Sequence, residues 1–156
     1  MSTVIQNLQQ NPPNGWSSST IDTHDDTFIG MVAKWFRSRR ILHQMIRDGE
    51  VNIAHIHVTR SLSWIRKRSL MRKCEKMGIP TVVHIHSGKF DRFCSGWFGS
   101  SVRKELLVDN RATIVLEDRW KDLLKEWLPK STFVVSNPSN TMGDRHNHEL
   151  SGKIKL

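Results

Sequence analysis

Hydrophobic and polar positions along this chain follow two rhythms. In residues 81–90, TVVHIHSGKF, three β-branched residues (Thr81, Val82 and Val83) follow Pro80, His84 and His86 bracket Ile85, and Ser87-Gly88 ends the run. A segment this apolar and this short, opened by Pro and closed by Gly, predicts a buried parallel strand rather than a helix. Residues 51–58, VNIAHIHV, end on the same His-x-His pattern and predict a second strand. Residues 112–116 (ATIVL) and 132–135 predict two more, and residues 20–24 a weaker, short one.

Between these runs the apolar spacing becomes helical. Val4, Ile5 and Leu8 share one face of a short helix over 3–10, which Asn11-Pro12-Pro13-Asn14-Gly15 terminates. Asp25, Asp26 and Thr27 offer N-caps for a helix over 28–47, whose stripe is Phe28, Met31, Val32, Trp35, Leu42, Met45 and Ile46. Lys34, Arg37, Arg39 and Arg40 form its basic flank. A second basic helix, over 62–77, carries Arg66, Lys67, Arg68, Arg72, Lys73 and Lys76, with Gly78 as its C′ residue and Pro80 blocking continuation. An aromatic-rich loop or short helix follows over 91–99, then helices over 101–108 and 120–127, the last ended by Pro129. Residues 139–156 are polar until Lys153-Ile154-Lys155-Leu156. Strand and helix alternate, so the expected fold is α/β: a Rossmann-like parallel sheet with helices on both faces. In such sheets ligands bind beyond the carboxyl ends of the strands, where His86 and the Ser87-Gly88-Lys89 turn fall.

Composition narrows this picture little. The 156 residues suit one domain, and 37% hydrophobic content with six Trp indicates a folded core. A formal charge of +9, from 24 Lys+Arg against 15 Asp+Glu, favours an anionic partner without choosing nucleic acid, membrane or phosphorylated ligand. Cys74 and Cys94 are too few for a disulfide framework and form no CxxC pair, which fits a reduced, cytoplasmic setting. No apolar run approaches the ~20 residues that span a bilayer. The N-terminus lacks the basic-then-apolar order of a secretory signal. A membrane would be met from the side.

Candidate chemistry starts with the histidines. Residues two apart on a strand face one side, so His55 pairs with His57 and His84 with His86, and four imidazoles at adjacent strand ends suit zinc. No carboxylate or Cys stands at a helpful spacing, so no metal site is assigned and satisfied histidines at the sheet edge are expected. Neither GxGxxG nor GxxxxGK[ST] occurs. Cys94 lacks the flanking signatures of a thiol hydrolase. The aromatics fall mostly on apolar stripes, which favours core roles over stacking on single-stranded nucleic acid.

The ordered series IDTHDD, long helix, VNIAHIHVT, basic helix, MGIPTVVHIHSGKFDRF and ATIVLEDRWKDLLKEWLPKSTFVVSNPSN resembles the N-terminal domain of a family 4 glycosyltransferase of the GT-B fold. The resemblance covers about residues 20–140, and its specificity lies in the order rather than in any one motif. It divides the chain into 1–19, a helix remnant and linker; 20–138, a Rossmann-like acceptor-side domain; and 139–156, a polar linker and the start of a C-terminal domain. Ser87 and Lys89 stand where the family usually has Gly and Glu. The family's first strand with its Gly-rich loop, and its donor-binding domain, have no counterpart here.

The resemblance implies transfer of a sugar from a nucleotide-sugar to a glycan or lipid-linked acceptor, with retention and without a metal or other cofactor. His86 matches the family histidine that points at the donor sugar, and is the expected catalytic residue. Thr59, Arg60, Ser61, Ser87 and Gly88 would meet the acceptor, and Lys89 and Arg92 would attract its phosphate. A separate C-terminal GT-B half is the implied partner. The basic helices suit an anionic membrane, which would place the protein in the cytoplasm or at the inner membrane face. A non-catalytic acceptor-binding subunit and a basic nucleic-acid-binding α/β protein are the alternatives, nucleic acid being the less favoured.

Overall fold

The computed structural model describes residues 5–6, 9–59, 61–87, 89–128 and 130–136. Residues 5–6 and 9–10 are helical, within the expected first helix. Helix α1 (Phe28–Arg47) starts where Thr27 caps it, the Thr27 hydroxyl accepting from the Gly30 N–H at 3.0 Å. Strand β1 (Ala54–Val58) leads into α2 (Leu62–Lys76). That helix ends as its sequence requires: Gly78 adopts φ 72°, its N–H reaches Glu75 O, and the Ile79 N–H returns to Cys74 O. Then follow β2 (Thr81–Ile85), the short α3 (Phe90–Cys94), α4 (Gly99–Leu106), β3 (Arg111–Val115), α5 (Asp118–Leu124) and β4 (Thr132–Val134).

The four strands form one all-parallel sheet in the order β1-β2-β3-β4, flanked by helices: a Rossmann-like α/β fold. The register sets Val83 between Ile56 and Thr113, and Val58 beside Ile85. These residues face the core, where Trp64, Met71, Phe90, Val102, Leu106 and Leu124 pack against them. The opposite sheet face is less apolar. It carries His55, His57, Val82, His84, Ala112, Ile114 and Phe133, ranging from exposed His55 and Phe133 to buried His57 and His84. Among the described residues no helix is long and apolar enough to cross a membrane.

The structure corrects four details. Residues 20–24 join no ladder. The Asp22 carboxylate accepts from the His24 N–H and from Lys34, and its carbonyl accepts from Ser38, so this segment's polar groups are satisfied by α1 rather than by a strand. Strand β3 begins one residue early, at Arg111, which is only 4% exposed. Its guanidinium donates to the Thr81 hydroxyl and to the Glu105 carbonyl, and Glu105 in turn accepts from Arg68 and Arg72. Not all aromatics enter the core: Trp64, Phe90 and Trp120 do, whereas Trp97, Phe28, Phe36 and Phe98 are exposed. The histidines share one face of the sheet: His55 and His57 lie on the edge strand β1, as expected, but His84 lies on the inner strand β2.

Candidate functional site

Strands β1 and β2 run parallel and end together, His57 beside His84 and Val58 beside Ile85. The ladder continues one step further, because the His86 N–H donates to the Val58 carbonyl at 2.9 Å. The turns that follow both strands therefore open on the same side. Between them lies a groove of about 690 Å³, walled by Thr59, Ser61, Leu62 and Ser63 from one turn and by His86, Ser87 and Lys89 from the other. Leu62 and Ser63, from the first turn of α2, were not singled out from sequence; nothing in their local pattern distinguishes them from other helix-start residues. Arg92 is exposed on α3 and does not wall the groove. Arg60 and Gly88 lie outside the described residues.

Ser61 takes φ 56° and ψ −125° and caps α2 without a side-chain hydrogen bond. A non-glycine residue in that region is strained by about 1–3 kcal/mol, and such strain concentrates at ligand-facing turns. The Ser87 hydroxyl accepts from the Lys89 N–H at 3.4 Å, tightening the second turn.

His86 joins the groove to a larger group of imidazoles on the sheet face. Its Nε2 lies 2.7 Å from His57 Nδ1, and its ring stacks on His84 with centroids 3.9 Å apart. His55 Nε2 and His84 Nδ1 are 3.3 Å apart. Burial pushes these groups down from the ordinary 6.5: His57 and His84 to about 3, His86 to about 4, and His55 in the same direction. Their mutual repulsion and the nearby Lys67 charge add to the effect at His57. Lys67 is itself lowered to about 8 by burial and by Arg66. The cluster is thus neutral near pH 7, and the close His57–His86 nitrogen pair shares one proton. The cysteines offer no nucleophile: both are buried, and burial pushes Cys74 up to about 11 and Cys94 to about 12, so neither forms a thiolate.

Fold and groove together define a Rossmann-like α/β protein with a polar crevice at its strand ends. Comparison with protein-family models, with curated proteins and with solved structures gives no match.

Proposed function

We propose that this chain is the acceptor-side domain of a retaining glycosyltransferase of the GT-B type, passing a sugar from a nucleotide-sugar to a glycan or lipid-linked acceptor. One observation carries the reading: a groove at the paired ends of β1 and β2 gathers three hydroxyl side chains from one turn, and a neutral imidazole, a hydroxyl and a cation from the other. Hydroxyls and an uncharged His86 match sugar hydroxyl groups as donors and acceptors, which charged groups would do less selectively. His86, bonded through Nε2 to His57, has its ring oriented; it would hydrogen-bond the reacting sugar and hold it against the acceptor. Lys89 would take the acceptor phosphate. A donor-binding half supplied by a partner completes the cleft.

The surface beyond the groove supports a cytoplasmic protein resting on an anionic membrane. Arg39, Arg72, Lys73 and Lys76 converge with His43 and Ser69 around a hollow of about 460 Å³ between α1 and α2. Trp97 is 97% exposed, as an aromatic that enters a lipid headgroup layer would be.

The test titrates the full chain with a short-chain prenyl pyrophosphate bearing one sugar. Binding is expected to saturate, to weaken with salt, and to fall about tenfold in Lys89→Ala, as loss of a charge-assisted hydrogen bond does. With a GT-B donor half added, His86→Ala removes transfer and leaves acceptor binding in place. Binding indifferent to Lys89→Ala and Thr59→Ala alike, or transfer that survives His86→Ala, would overturn the proposal.

A further inference from the structure

Four histidines from two strands meet on the less apolar face of the sheet, and hydrogen bonding among them leaves the group incomplete. His84 is 3% exposed, and among the described residues its Nε2 has no hydrogen-bond partner. A buried polar group without a partner is costly, and in a native protein it points to something that satisfies it. The 3.3 Å between His55 Nε2 and His84 Nδ1 is long for a hydrogen bond. His84 gives an ion one ring nitrogen: through Nδ1 the 3.3 Å to His55 Nε2 matches the edge of a tetrahedron, since two nitrogens bound at 2.0–2.1 Å to one zinc ion lie about 3.3–3.4 Å apart, and through Nε2 the ion satisfies the orphaned atom instead. His57 adds a third ring, with one nitrogen from each of His55, His57 and His84 lying within 4.8 Å of the others.

We propose that His55, His57 and His84 bind a divalent transition-metal ion of the zinc class on the sheet face. The chemistry of the donors agrees. Imidazole ligates in its neutral form, and it suits zinc, copper, nickel and iron rather than the oxygen-seeking cations. The end torsion of a histidine is broad, so the three rings turn their nitrogens onto one ion without changing rotamer well. His55 is exposed, which gives the ion an entry path and leaves a coordination position open to solvent. His86 then plays the outer partner: at 2.7 Å from His57 Nδ1 it accepts that nitrogen's proton and orients the ring. With three neutral ligands the ion keeps its double charge. The open position therefore favours hydroxide or another anion. This site stands whether or not the groove transfers sugar.

The test loads the chelator-stripped full chain with zinc alone, removes the excess by dialysis, and measures zinc per chain and the melting temperature. One zinc per chain and a raised melting temperature are expected. His55→Ala removes an exposed ring without opening the core, and should weaken binding by at least about tenfold, the loss that even outer-shell partners cause. His146→Ala with His148→Ala, in the polar tail, should leave it unchanged. X-ray absorption of the zinc-loaded wild type should show imidazole nitrogens and no sulfur. No retained zinc, a sulfur-containing shell, or binding that survives His55→Ala and disappears with His146 and His148 would overturn the proposal.

Discussion

A histidine on a strand is unremarkable alone; four held at nitrogen separations of 2.7 and 3.3 Å make stability depend on pH. In the folded chain His57 and His84 are held to about 3 and His86 to about 4, against 6.5 when unfolded. As pH falls below about 6.5, the unfolded imidazoles take up protons that the folded ones refuse, so the unfolded state binds more protons and gains. Their contribution is present in full above about 6.5 and is lost progressively toward 3–4. Melting temperature should therefore drop between about pH 6.5 and 5, before most carboxylates titrate, and His57→Gln should flatten that drop. A profile flat over that interval would contradict the buried, neutral cluster.

At the scale of elements, one carboxylate ties three of them together. Glu105 on α4 is 2% exposed and accepts from Arg68 and Arg72 of α2 at 2.9 and 2.5 Å, while Arg111 of β3 donates to its carbonyl. Arg68 and Arg72 reach water and lose little if freed, but the Arg111 guanidinium is buried. Removing the carboxylate leaves that charge with only Glu75, a half-exposed carboxylate 3.9 Å away. Glu105→Ala should cost about 3 kcal/mol, at the lower end for a broken buried pair because solvent screens two of the partners. Denaturant midpoints of the two proteins measure it. A change below about 1 kcal/mol, the level of an exposed pair, would show that the network is not sheltered from water.

For the molecule as a whole, the open side of β1 matters most. Among the described residues the sheet order leaves β1 with β2 as its single neighbour, so its other row of N–H and C=O groups pairs with no described strand. Unpaired edges invite association. On that edge strand His55 is exposed. The chain expressed alone should self-associate, seen as a weight-average mass that rises with concentration in sedimentation equilibrium. A mass that stays monomeric across that range would mean the edge is covered.

Much of this was readable from local pattern, because local pattern answers to local physics. The Gly78 stop of α2 needs only a left-handed residue followed by Pro80, and Thr27 needs only the first turn it caps. Strand and helix periods, summed along the chain, imply the parallel sheet, and the shared His-x-His endings marked the strand ends where the groove lies. The segment at 20–24 misled because its β-branched residues said nothing of Lys34 and Ser38, which satisfy it from α1. Arg111 fell outside the expected strand at 112–116, because a charged residue joins a buried strand only where Glu105 and Thr81 meet its guanidinium.

What the chain determined by itself, then, is which residues fall on which side of each strand and where each helix starts and stops: side-chain alternation and capping act within a few residues. Only the tertiary structure decided that His57 stands beside His84, that both turns share one groove, and that the imidazoles meet nitrogen to nitrogen. Register between partners 27 residues apart, such as His57 and His84, is set by packing the apolar face of the whole sheet, and no local spacing encodes it.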